Sequence, residues 1–294
     1  MHRVGCKRGV TGACLALAAG SEYITAVPGV VLALFALHAV PAGRRARAVL
    51  ALGAGALVPL VVICAYHTAC FGVPWRTGYS FIQRAEFARG HASGLLGVNA
   101  PNATALHGLL FGERRGLFFI SPVALVAAWF TASRAIAQRD RAARAGLVAM
   151  MALLFANGGY YMWWGGAAAG PRHLVPVLGF LSFGAAAAFE SRRLRWLFVP
   201  LALVSFANVL VLTAVGLEGP EQGNLLTDYA YPRLMSGGLA GISGASNLAL
   251  RLGLARAATL GPFLVWILMG GRFLVRLLAP DPEGDERASK MDPA

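Results

Sequence analysis

Apolar residues in this chain arrive in long, nearly uncharged blocks. The blocks fall at 23–40, 48–66, 116–132, 145–163, 173–189, 195–216 and 257–279. Each is close to the ~20 residues a helix needs to cross ~30 Å of hydrocarbon. Within lipid the backbone has no water to bond to, so helices with internal hydrogen bonds are the natural solution. The pattern predicts an all-α polytopic membrane protein of about seven transmembrane helices. A shorter run, 9–20, breaks at Gly20-Ser21-Glu22 and reads as an N-terminal half-helix. Composition agrees: 57% of 294 residues are hydrophobic and 13% charged, too little polar surface for a water-soluble domain of this size.

A formal net charge of +13 could point to nucleic acid, but its placement points elsewhere. Arg44, Arg45 and Arg47 share one connection. Arg134, Arg139, Arg141 and Arg144 share another, and Arg192, Arg193 and Arg195 a third. These are alternate connections, as expected when Lys and Arg collect on the cytoplasmic side. The basic excess is therefore a topology signal, with the lipid bilayer as partner and no nucleic acid. It puts 41–47, 133–144, 190–194 and the tail from 280 in the cytoplasm, with 67–115, 164–172 and 217–256 outside. The expected domain is a membrane unit over 1–280, followed by a disordered cytoplasmic tail at 281–294. This pattern predicts a multi-pass membrane protein with a cytoplasmic C-terminus.

Cys6, Cys14, Cys64 and Cys70 show no CxxC spacing and no nearby His pair, so no metal site and no cofactor is expected. Cys64 and Cys70 either form a disulfide or, the more ordinary outcome, remain small buried thiols. The Ala-rich sequence at 13–19 mimics a signal peptide, but the apolar pattern resumes at once. Asn102-Ala103-Thr104 matches a glycosylation sequon.

The external segments carry the residues that could do chemistry. In the first, Phe81, Ala85 and Ala88 share a helical face between Ser80 and Arg89, which predicts a short amphipathic helix at the membrane surface. Arg114 and Arg115 stand just before a span, either as interfacial anchors or as phosphate contacts. The third segment holds Glu218, Glu221, Asp228, Tyr229, Tyr231 and Arg233, followed by Gly237, Gly238, Gly241 and Gly244, and reads largely as loop.

The richest stretch runs from Tyr160 to His173 and includes Trp163, Trp164, Gly165, Gly166, Gly170, Pro171 and Arg172. Pro171 suits the first turn of a helix, and a helix N-terminus attracts anions. Arg172 would add a guanidinium suited to phosphate, and His173 a titratable donor. Trp163 and Trp164 fit an aromatic belt at headgroup depth. The competing reading is an ordinary span boundary with one snorkelling arginine. Glu22 is the carboxylate at the break between half-helix and first span. It either caps the helix starting at Tyr23 or pairs with an Arg or His.

Trp163-Trp164-Gly165-Gly166 followed by Gly170-Pro171-Arg172-His173-Leu174-Val175-Pro176 resembles the bacterial polytopic glycosyltransferases of the GT-C superfamily. The nearest likeness is to the protein mannosyltransferases and the aminoarabinose transferases of lipid A. Gly20-Ser21-Glu22-Tyr23, Phe71-Gly72-Val73-Pro74, Leu110-Phe111-Gly112, Arg115-Gly116-Leu117 and Asn247–Gly253 fit in order. The resemblance implies transfer of a sugar from a polyprenyl-phosphate donor to an acceptor at the external face. Arg172, His173, Arg114, Arg115, Trp163, Trp164 and Glu22 would then form its substrate-binding set. Such enzymes carry their catalytic acid in a large loop after the first span. This chain shows no such loop, so the resemblance implies the C-terminal portion of such an enzyme and assigns no catalytic residue. The alternatives are a non-catalytic membrane protein that binds an isoprenoid phosphate or a partner subunit, and a transporter. A transporter is disfavoured because one broken helix and no internal repeat are visible.

Overall fold

A computed structural model describes residues 2–190, 192–216, 218–220, 222–236, 254, 258 and 261–278. All regular structure among them is helical, with three isolated antiparallel bridges between loops. Contacts divide the chain into two units, Met1–Val209 with Leu217–Tyr229, and Leu210–Gly216 with Ala230–Ala294.

The first unit begins with α1 (His2–Ser21), α2 (Ala26–His38) and α3 (Arg45–Phe71). The expected half-helix at 9–20 is thus a full 20-residue helix. Its partner is α3, and the two approach at glycines. A β-carbon on Gly12 would run into the Leu52 carbonyl, and one on Gly55 into the Gly9 backbone. Small residues that let backbones approach closely are the usual way for helices to associate in lipid, where hydrophobic burial offers no drive. α3 ends at Gly72, whose φ of 85° lets its N–H bond the Thr68 carbonyl.

The short helices α4 (Ala85–Ala92), α5 (Ala103–Leu110) and α6 (Leu117–Ile120) follow α3. They lead into α7 (Val123–Ile136), α8 (Arg141–Gly158), α9 (Val177–Glu190) and α10 (Arg192–Val215). Asn102 caps α5 by accepting from the Ala105 N–H at 2.8 Å. Asp140 caps α8, accepting from Ala142 and Ala143 at 2.8 and 3.1 Å. These N–H bonds, that of Ala143 foremost, hold the Asp140 carboxyl below its ordinary pKa, and Arg134 adds a 3.2 Å ion pair. Leu109, Leu117, Ala124, Ala127, Met150, Leu153, Leu174, Val177 and Leu181 make the core.

Two helical runs, Ala42–Phe71 and Leu194–Val215, are long and apolar enough to cross a membrane. Only 11% of the apolar window of the first is buried. The core helix of a soluble protein would be mostly buried, whereas Leu57, Val58, Val61 and Val62 of α3 all stand exposed. An apolar face of that extent fits a hydrocarbon environment. The other blocks make shorter helices than their apolar lengths suggested. The 116–132 block breaks between α6 and α7 at Ser121-Pro122, because proline disfavours a helical conformation in the residue before it.

Three further expectations change. Cys64 and Cys70 are free, on one helix, and exposed together with Cys14. They are neither paired nor buried. The helix expected over 80–89 is split into a 3-10 turn, Gly78–Phe81, and α4. Pro171 does not start an α-helix. It precedes a three-residue 3-10 turn, Arg172–Leu174, and α9 begins only at Val177. The helix-terminus anion site expected at 171–173 is therefore not built.

The second unit contains Leu210–Val215 of α10, then α11 (Tyr231–Ser236) and α12 (Gly261–Leu278). Ala230 and Leu234 are buried in it, while Val265, Trp266, Leu268 and Met269 of α12 are exposed. Glu221, the glycines at 237, 238, 241 and 244, the Asn247–Gly253 motif and the tail at 281–294 lie outside the described residues.

Candidate functional site

Two groups of polar side chains form around the bend between α8 and α9. Positive φ angles of 77° and 71° at Gly165 and Gly166 turn the chain there, a conformation glycine adopts at little cost. The segment between α3 and α5 ties down the start of the bend. Asn99 N–H donates to the Gly159 carbonyl and Tyr161 N–H to the Gly97 carbonyl, both at 2.8 Å. At its far end Leu174 enters the core and is almost fully buried, which draws His173 inward beside it.

The first group gathers at His173. Glu22 follows α1 in extended conformation and makes no capping bond with its side chain. The following turn is closed instead by bonds from Thr25 N and Oγ1 to the Glu22 carbonyl, at 2.9 and 2.8 Å. The carboxylate is thereby free for tertiary contact, and its Oε1 lies 3.9 Å from His173 Nδ1. His173 is only 5% exposed, and neither ring nitrogen has a hydrogen-bond partner. Burial, with help from Arg172, lowers its pKa to about 4. At neutral pH the imidazole is uncharged, so its approach to Glu22 is a dipole beside a carboxylate rather than an ion pair.

Tyrosines enclose this group. The Tyr160 ring meets His173 edge-on at 5.7 Å, and Tyr79 stacks on His91 at 4.6 Å. Burial raises the pKa of Tyr79, and Glu22 raises it further against the opposing pull of Arg172. Burial likewise raises that of Tyr160. Both phenols therefore keep their protons and can donate to a ligand. Arg172 itself is exposed, its stem lying against Gly165. Next to Tyr79 a cavity of about 390 Å³ is lined by Tyr23, Tyr66, His67, Phe71, Gly78 and Tyr79. His67 is held there by the Pro74 carbonyl on Nδ1 and the Tyr23 hydroxyl on Nε2, each at 3.1 Å.

The second group gathers at Arg115. This residue is 1% exposed and reaches the Gly166 and Arg114 carbonyls through long bonds of 3.3 and 3.4 Å. Burial first, and then the neighbouring Arg114, lower its pKa to about 10, so it stays charged. A cavity of about 330 Å³ lies alongside, lined by Gly108, Gly112, Glu113, Arg114, Arg115, Trp163 and Gly223. Trp163 packs so closely on Gly108 that a β-carbon there would overlap its ring. Trp164 meets Trp163 edge-on at 5.8 Å. Residues 218–220 and 222–225 fold over this side. Gly219 N–H donates to the Ala167 carbonyl at 2.8 Å, Leu225 N–H to the Glu113 carbonyl at 3.2 Å, and Asn224 Nδ2 to Glu113 Oε2 at 3.3 Å.

The residues expected to form one site thus separate into two groups that share a loop. Glu22 and His173 come together in one, with the exposed Arg172 next in sequence, and Arg114, Arg115 and Trp163 in the other. Tyr23, His67 and Asn224 did not stand out in the sequence. His67 did carry a signal, being an ionisable residue near the end of a long apolar run.

No family model, no curated protein and no solved structure matches this chain.

Proposed function

We propose that this chain is a multi-pass protein of a bacterial inner membrane, with about seven spans and a cytoplasmic C-terminus. In this reading it transfers a sugar from a polyprenyl-phosphate donor at the external face. The observation that carries the proposal is the approach of Glu22 to within 3.9 Å of the buried, uncharged His173, with the exposed Arg172 next in sequence. A carboxylate and an imidazole meet there, with a guanidinium on the adjacent residue and two protonated tyrosines nearby. The GT-C-like motif at 163–176 supports the substrate class.

In this reading the acceptor hydroxyl gives its proton to the Glu22 carboxylate as its oxygen bonds to the anomeric carbon. The bond from that carbon to the donor's phosphate oxygen breaks, and the phosphate leaves with the bonding pair. Arg172 meets the negative charge gathering on that phosphate, where a fixed cation lowers the barrier. Tyr79 and Tyr160 donate to sugar hydroxyls.

The test is sugar release from a polyprenyl-phosphate hexose by the protein in liposomes, with water or added glycoside as acceptor. Release that falls sharply in Glu22→Gln supports transfer. Binding without release points to the non-catalytic isoprenoid-phosphate protein instead. Release that is equal in the wild type and Glu22→Gln removes Glu22 from the chemistry.

A further inference from the structure

Among the described residues, the arginines at the cavity beside Arg115 are short of acceptors. Arg115 is buried, two of its nitrogens have only long bonds to neutral carbonyls, and its Nε has no partner. Arg114 Nε is also buried and unpartnered. Among the described residues no carboxylate oxygen lies within 4.0 Å of either guanidinium. The one acid lining the cavity is Glu113, whose Oε2 accepts from Asn224. Among the described residues lining the cavity two arginines stand beside one carboxylate, and Arg115 itself is almost wholly withdrawn from water. A buried charge is costly unless it is paired and hydrogen-bonded.

We propose that this cavity is a second phosphate site, separate from Arg172, with Arg114 and Arg115 as its donors and Trp163 as its wall. A carboxylate ligand would engage one guanidinium well but leave the second short of acceptors. A phosphate monoester carries about −1.5 to −2 charge and three acceptor oxygens, which suits two adjacent guanidinium groups. The volume of about 330 Å³ is at the lower end of small-molecule sites, enough for a phosphate and a short attached group. Gly108 leaves the room that the Trp163 ring takes up at the wall. The phosphate could arrive on a lipid or as a free ion, and the chemistry at the arginines is the same. The site needs only these two arginines and stands whether or not sugar transfer occurs at Glu22.

The test uses the full chain in phosphatidylcholine nanodiscs carrying Arg172→Ala, so that only the cavity is read. Inorganic phosphate and a polyprenyl phosphate are titrated separately, with tryptophan fluorescence as one readout and radiolabelled ligand as another. Saturable binding of inorganic phosphate identifies a free ion as sufficient, and binding of the polyprenyl phosphate alone identifies a lipid headgroup. Either result supports the site if adding Arg115→Gln weakens it about 10-fold or more. Glu113→Gln removes the competing charge and should tighten binding several-fold, an outcome that a misfolded protein cannot give. Binding of neither ligand overturns the proposal, as does binding that is equal with and without Arg115→Gln.

Discussion

The two groups around the bend use the same residue types in opposite settings. At Glu22 and His173 the acid and the arginine are accessible and the buried group is an uncharged imidazole. At Arg115 the buried group is the cation itself, and the acid nearby is bonded to an asparagine. The first arrangement suits proton transfer, because a carboxylate with free lone pairs can accept one. The second suits holding an anion that does not react.

The sharpest separation comes from Glu22→Gln. A lost general base typically costs about 100-fold or more, so sugar release should fall at least that far while phosphate binding at Arg115 is retained. Loss of both together would mean that the two groups act as one.

Acid should act on the first group alone. The folded chain holds His173 at about 4, against an ordinary 6.5. Between those values the unfolded chain binds a proton that the folded chain does not. Stability is therefore full above pH 6.5 and falls as the pH drops towards 4, by at most about 3 kcal/mol. Thermal unfolding from pH 7.5 to 4.5 should show this slope, and His173→Gln should reduce it, leaving the part due to His91, whose pKa burial also lowers. The same slope in both proteins would break the assignment.

Arg115→Met probes the second group in the opposite sense. Replacing a buried, poorly paired charge by an apolar side chain of similar size is often stabilising. We expect ligand-free stability to rise by about 1 kcal/mol, with loss of any thermal shift on adding phosphate. A large loss of stability in the absence of ligand would show that Arg115 serves the fold. The smallest effect is expected from Tyr23→Phe. It removes one half-exposed hydrogen bond to His67, worth about 1 kcal/mol or less, and should leave phosphate binding at Arg115 unchanged.

Much of this was legible residue by residue. Apolar blocks announce helices because burying or embedding a helix depends on local composition, and α3 and α10 fall where the 48–66 and 195–216 blocks put them. The glycines at 165 and 166 announce a bend for an equally local reason. Helix ends were less legible. Pro171 fits the first turn of a helix, but the chain forms a 3-10 turn because Leu174 must reach the core. The break expected at Gly20-Ser21-Glu22 is where α1 ends, but the helix begins at His2, earlier than the run at 9–20 showed, and Gly12 and Gly55 let it pack closely against α3.

By itself, the sequence determined that the chain is helical, that its apolar faces suit lipid, and that Arg172 and His173 share one short turn. Their adjacency is covalent. Only the tertiary structure decided that Glu22, remote in sequence, approaches His173, and that Arg115 is buried while its neighbour lines a cavity. Adjacent arginines before a span look alike in sequence. Which one loses its water depends on where Gly166 and Gly219 come to rest, and packing distant segments settles that.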